Sequence, residues 1–322
     1  MRKRYKIFIL LFLFVTALQE LLAQEVQFEI AKYKDNKTCA LSYTFDDALS
    51  EHYTLVTPAL NKHGFKGTFW VNGVKINSIQ KPNKDTTRVN WDQLREMVRQ
   101  GHEISNHGYT HKNLVRSTFE EVEYEIFKND TVIFEQLGIW PKTFCYPNNA
   151  KTKEIIELAS RNRIETRLFQ FSMGSKSTHK NLEEKVNSLL NNQEWGVAMI
   201  HGITYGYDRF IDANILWRHL EKVNARKAMI WVATFEDVAA YVKQRDNIAI
   251  EVIKTKKGYQ VVPKMTLNPD LFNKELTLII KTSSNKNKII SVMQNGKKLL
   301  ISKNSESTFI NFNPWGGSLT IN

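Results

Sequence analysis

Two adjacent carboxylates closing an apolar run constrain this chain more than any other feature. Cys39-Ala40-Leu41-Ser42-Tyr43 leads directly into Thr44-Phe45-Asp46-Asp47. An alternating, aromatic-rich segment that ends in acids reads as a buried strand delivering polar groups at its C-terminal end, where α/β folds keep their chemistry. Side by side, two carboxylates raise one another's pKa unless a cation sits beside them, so the pair asks for a metal. Histidines follow at His107 and His111, inside Gly101-His102-Glu103-Ile104-Ser105-Asn106-His107-Gly108-Tyr109-Thr110-His111. Two imidazoles and one carboxylate make a three-ligand set with positions open for water and substrate.

The sequence around these residues alternates between strand and helix patterns. Residues 53–63 carry apolar groups at helical spacing up to Gly64, and residues 66–72 form the next strand. An amphipathic helix over 91–100 stops at Gly101 and feeds a strand over 103–106. Further helices are predicted over 119–137 and 151–161, with strands over 143–147, 196–200 and 229–233. Thr234-Phe235-Glu236-Asp237 opens the last helix, to Arg245, as a capping box. This alternation predicts a parallel sheet closed or nearly closed into a barrel. After Arg245 the period changes to two, with turn signals at Lys257-Gly258, Asn295-Gly296 and Gly316-Gly317. The expected organisation is a signal peptide over 1–23, an α/β barrel domain over 24–245 and an all-β, sandwich-like module over 246–322. The short alternating segment 26–30 is expected to cover the bottom or edge of the barrel.

The leader is read from Arg2, Lys3, Arg4 and Lys6 ahead of an apolar run to about Leu18, with Leu21-Leu22-Ala23 offering cleavage before Gln24. A secreted or periplasmic protein with no membrane span after cleavage is expected. The formal charge of +12 falls to +9 once those four cations and Glu20 are removed. The lysines are scattered rather than gathered in a stripe, which argues for a solvated basic surface and against nucleic acid, and leaves attraction to acidic glycans open. Cys39 and Cys145 both lie in apolar strand-like runs and are expected to be buried free thiols.

On the Thr-Phe-Asp-Asp motif and the His-x-x-x-His motif preceded by Gly-His-Glu-Ile, the chain resembles the NodB-homology polysaccharide deacetylases, esterases of the carbohydrate esterase family 4 type. These remove acetyl groups from sugars on a distorted (β/α) barrel, and the resemblance covers residues 38–245. It implies that Asp46 is the general base while Asp47, His107 and His111 hold a divalent cation, most often zinc. The implied reaction is attack of metal-bound water on an N- or O-linked acetyl group of a glycan. His201 matches the late hydrophobic-His motif, whose histidine protonates the leaving group; Gly202 stands where the family often has an acid. In the third motif the best-known members carry Arg-x-Pro-Tyr. Here Cys145-Tyr146-Pro147-Asn148 is nearer to the Phe-Ala-Tyr-Pro-Tyr-Gly variant, which assigns the Asn148 backbone N–H to the oxyanion.

Two of the family's supports are missing from the sequence. The arginine that steadies the base is absent from the third motif, and no acid-tryptophan pair for His201 appears between Lys151 and Gln193. Glu236 or Asp237 could stand in as that acid, although capping explains Asp237 better. Tyr205, Tyr207 and Trp91 are candidates for stacking on a sugar ring. His52, His63, His102, His179 and His219 read as structural or surface residues. A different class of function, a non-catalytic carbohydrate-binding protein on a degenerate barrel, rests on the two departures.

Overall fold

The computed structural model describes residues 26–77, 87–282, 289–303 and 307–322. The segment read as a signal peptide lies outside the described residues. The chain divides into two units. Among the described residues, one is built from 37–246 together with Leu267–Lys274, the other from 26–36, Asn247–Thr266 and Glu275–Asn322. Among the described residues, no helix is long and apolar enough to cross a membrane.

After β1 (Val26–Ile30), which belongs to the second unit, the first unit carries β2 (Cys39–Asp46), β3 (Thr68–Val71), β4 (Glu103–Asn106), β5 (Thr143–Phe144), β6 (Glu165–Thr166), β7 (Phe171–Ser172), β8 (Trp195–Ile200) and β9 (Ile230–Val232). They form one sheet in the order β6-β5-β4-β3-β2-β8-β7, with β9 also on β2. Every pairing is parallel. All eight residues of β2 are buried, as a central parallel strand covered on both faces must be. Among the described residues β6 and β7 do not pair, so the curled sheet is a distorted barrel rather than a closed one.

Side-chain caps start the helices around the sheet. Asn90 and Gln93 form a capping box on Trp91–Arg99, Thr118 and Glu121 another on Phe119–Glu123. The helix predicted over 119–137 is one helical stretch with a π-turn, Tyr124–Lys128, before Asn129–Leu137. The hydroxyl of Thr234 accepts from the Asp237 amide at 3.1 Å, as the capping reading requires. The return segment 267–274 is tied in by paired bonds between Gln244 and the Lys274 backbone, both 2.9 Å, and buries Phe272 near Trp70 and Phe235.

The second unit is antiparallel. Its remaining strands are β10 (Ile248–Thr255), β11 (Gly258–Met265), β12 (Leu276–Thr282), β13 (Val292–Gln294), β14 (Lys297–Lys298), β15 (Ile301–Lys303), β16 (Thr308–Phe312) and β17 (Leu319–Ile321). They make two sheets, β1-β12-β16-β15 and β10-β11-β17-β13-β14. Asn295 and Gly296, at φ 47° and 73°, turn β13 into β14 as the Asn-Gly pair demands. The expectation for residues 26–30 is corrected: β1 does not edge the barrel but pairs with β12, Val26 opposite Thr282 and Ile30 opposite Leu278. A short strand of period two matches an antiparallel edge of the same period, and its partner lies some 250 residues away, where local reading does not reach.

Candidate active site

Parallel pairing brings the C-terminal ends of β2, β4, β5 and β8 to one edge of the sheet. The residues there and just beyond are Asp46, Asp47, His107, Cys145 and His201. A cavity of about 450 Å³ opens among them, lined by Asp46, Asp47, His107, His111, Asn148, His201 and Tyr207, together with Tyr146, Asn149, Arg167 and Met199.

Asp46 is fully enclosed and gripped by a residue that motif reading missed. Arg167, in the loop after β6, donates through Nη1 to Oδ1 at 2.8 Å and through Nη2 to Oδ2 at 2.5 Å. The same Nη1 reaches Thr44 Oγ1 at 2.8 Å. Burial drives the Asp46 pKa up, but the Arg167 guanidinium beside it overcomes this and the pKa comes down to about 2. The arginine missing from the third motif is thus supplied from another strand end, which removes one of the two supports for a degenerate barrel.

Asp47 sits opposite the imidazoles, its Oδ1 3.4 Å from His111 Nε2 and 4.0 Å from His107 Nε2. The two rings meet edge-on, centroids 4.9 Å apart. His107 Nδ1 lies 2.9 Å from the Cys145 carbonyl, which can only accept, so Nδ1 carries the proton and Nε2 presents its lone pair to the cavity. Burial lowers the pKa of both histidines, His111 to about 4, keeping them in the neutral form a metal needs. Asp47 and His111 both have left-handed backbones, φ 74° and 69°, a conformation that costs free energy and concentrates at functional sites.

A divalent cation fits this donor set. One atom from each of Asp47, His107 and His111 lies within 4.8 Å of the others, and Asp47 Oδ1 is buried with no hydrogen-bond partner among the described residues. A second cluster, Asp46-His107-Cys145, suits a cation less well, because Arg167 already occupies Asp46 and burial holds the Cys145 thiol protonated. Charge repulsion between the acids is a weaker argument than the sequence suggests. Arg167 answers Asp46 and Lys75, 3.9 Å from Asp47, answers its neighbour, so the imidazoles and the orphaned oxygen carry the inference.

Buried polar side chains hold the histidine segment from behind. Asn72 donates to the carbonyls of His107 and Gly108 at 2.6 and 3.0 Å, and Asn106 Oδ1 accepts from the Gly108 amide at 2.7 Å and from Asn129 at 2.8 Å. Glu125 accepts from the Thr110 amide at 2.9 Å and from the Thr110 hydroxyl, fixing the residue before His111. None of these was singled out from the sequence, because an isolated Asn or Glu announces no partner.

His201 Nε2 is 3.7 Å from Asp46 Oδ2, while its Nδ1 is buried with no partner among the described residues. What holds His201 is its backbone. His52 Nε2 donates to the His201 carbonyl at 2.8 Å, and Glu51 accepts from the amide of Ile203 and from the amide and hydroxyl of Thr204, the latter two at 2.9 Å. Gly202 is explained by space: a Cβ there would meet the Tyr205 carbonyl oxygen at 1.9 Å, so no acid fits at position 202 itself. Glu236 and Asp237 are not near His201. The Glu236 amide binds Glu103, at the start of β4 and hence the opposite end of the sheet, and both acids pair with Lys274.

Asn148 faces the cavity on a left-handed turn, φ 56°, just after Tyr146 and Pro147. Of the three aromatic candidates only Tyr207 lines the cavity, its ring 5.0 Å from that of His201. Trp91 is a core residue, because the first position of its amphipathic helix points inward. Tyr205 is turned away, its hydroxyl 2.5 Å from Ser50 Oγ. Cys39 and Cys145 are free and buried, as expected.

A family model described as polysaccharide deacetylase matches residues 33–166. Over 130 residues the chain is 32% identical to the peptidoglycan-N-acetylglucosamine deacetylase PgdA of Listeria monocytogenes, which covers 40% of this chain and 25% of that protein. Over 119 residues it is 30% identical to chitin deacetylase 1 of Cryptococcus neoformans, covering 37% and 23%. The chain therefore spans about a quarter of the length of these curated relatives. A solved structure described as a polysaccharide deacetylase from Mycobacterium smegmatis shares the fold, with a TM-score of 0.53 at 16% identity over 68% of this chain and 94% of that one. The matched residues hold the acid pair, both cavity histidines and the Tyr146-Pro147 turn, so the part of the barrel unit that carries these residues is similar to the polysaccharide deacetylases.

Proposed function

We propose that this protein is a metal-dependent hydrolase that removes acetyl groups, N- or O-linked, from a glycan. The observation that carries the reading is one cavity holding two separated functions: a neutral-imidazole and carboxylate donor set, Asp47, His107 and His111, and a distinct ionised carboxylate, Asp46, facing His201. The imidazole-rich set suits zinc. When bound, such a cation supplies Lewis acidity, which polarises the acetyl carbonyl and acidifies water.

The chain's own groups divide the remaining work. Asp46, kept charged and oriented by the Arg167 fork, accepts the proton of the attacking water. His201 Nε2, with its backbone clamped by His52 and Glu51, gives a proton to the departing nitrogen or oxygen. The Asn148 amide, on its left-handed turn, donates to the carbonyl oxygen as negative charge gathers there. Tyr207 offers its ring to the sugar. The names of the relatives, acting on peptidoglycan and chitin, support a glycan substrate. The apolar leader read from the sequence supports export.

Acetate release from acetylated oligosaccharides, with and without chelator, tests the proposal. Asp46→Asn is expected to keep its metal and lose turnover by about 10²–10⁴-fold, while Asp47→Asn loses metal. Release that survives both the chelator and Asp46→Asn would sink it. Glycan binding with no release under any metal would make the protein a carbohydrate-binding one.

A further inference from the structure

Beside the catalytic cavity lies a larger hollow of about 1100 Å³, bounded by β7, the start of the helix His179–Asn192 and the loop 206–211. The two hollows share Met199 and Tyr207. Tyr207 is 74% exposed and edge-on to His201, so it stands at the junction as an aromatic platform on which a saccharide passing from one hollow to the other can rest.

The floor of the larger hollow is built rather than loose. The Asp208 carboxylate accepts from Ser172 Oγ at 2.8 Å and from the Ser175 amide and hydroxyl at 3.0 and 2.6 Å, and the Asp208 carbonyl accepts from the Ser175 amide at 3.1 Å. Gly174 is pressed against this junction, with no space for a Cβ, which would stand 2.1 Å from the Asp208 carbonyl oxygen. The walls are cationic: Lys176, Lys185 and Arg209 stand against the single acid Asp208. The Asp208 carboxylate is held by its three neutral donors, which fix it in place and leave three cations against one acid. Lys185 is steered by the Phe171 ring, 5.1 Å from its ammonium, and Arg209 spends Nη1 on the Thr204 carbonyl at 3.2 Å. None of the three cations forms an ion pair among the described residues.

A neutral sugar would be served by hydroxyls and amides of either polarity, whereas an excess of cations over acids on a built floor selects for negative charge. We propose that this hollow is a subsite for a carboxylate-bearing sugar adjoining the acetylated one, so that the substrate is an acidic glycan. The reference to a substrate rests on the deacetylase reading.

Binding without turnover tests it. Three unacetylated oligosaccharides of equal length are titrated calorimetrically into the full chain: one neutral, one bearing a hexuronate, and one bearing a lactyl-ether carboxylate. At least one acidic ligand is expected to bind about tenfold tighter than the neutral one, the advantage shrinking in high salt. Whichever acid is preferred identifies the source of the carboxylate. The advantage should vanish in Lys176→Glu/Lys185→Glu and fall in Arg209→Gln, each compared with its own affinity for the neutral ligand and checked for fold by circular dichroism. Equal affinity for all three ligands, or an advantage unchanged in both variants, overturns the subsite. Retained acidic preference with no acetate release would overturn the deacetylase reading and leave the subsite standing.

Discussion

Arg167 shows what a motif can and cannot report about a single residue. The carboxylate of Asp46 is buried and needs a cation, but physics does not specify which strand supplies it, and here donor and acceptor are separated by 121 residues. Arg167→Ala would leave that charge unpaired, and a loss of about 3–5 kcal/mol is expected in urea unfolding. Arg167→Lys, which restores charge without the two-pronged fork, should recover part of the stability but not the rate. The gathering of Asp46, Asp47, His107, His111 and His201 around one cavity was legible because each closes or follows a strand, where side chains have one direction to go. Trp91 and Tyr205 were not, since their direction is set by packing and by Ser50. Glu103 offers a separate test at the opposite end of the sheet. Burial, and then Glu236, push its pKa from 4.5 to about 8. The folded state therefore holds a proton that the unfolded chain releases above its own lower pKa, so stability falls as pH climbs from about 4.5 to 8 and then levels. Glu103→Gln should flatten that slope, read from urea midpoints at pH 5 and pH 9.

Among the elements, the segment after β8 is the one whose position sets where His201 stands. Glu51 closes on three donors of Ile203 and Thr204, and His52 on the carbonyl of His201. Glu51→Ala should leave those amides unpaired at a cost of about 1–3 kcal/mol. Faster hydrogen exchange confined to residues 202–205, with metal content intact, would be the signature. Gly202→Ala should act by a different route, forcing the turn off the Tyr205 carbonyl and lowering turnover even where the fold survives. Capped, strongly periodic helices such as Trp91–Arg99 were readable from sequence. The strands β6 and β7 were not, because two residues each are too few to display a period. Nor was the π-turn in the middle of the 119–137 stretch, which changes register without changing composition.

At the scale of the whole molecule, the change of period after Arg245 was legible, and the destination of the first strand was not. β1 covers one edge of β12, where Leu278 and Ile280 are buried. Deleting residues 26–30 is expected to lower the melting temperature of the β unit and promote association through the bared edge, seen by calorimetry and light scattering. The same pairing has a consequence in time. A chain made from its N-terminus produces β1 early, then the whole of the barrel, and only afterwards the strand that receives it. Joining segments so far apart is slow, since the ends must find each other across a long intervening loop. The barrel unit can collapse around its own parallel sheet before β12 has been made, so the order of synthesis favours the barrel unit first and the β unit last. In that interval the five residues of β1 offer unpaired backbone groups to any other strand they meet.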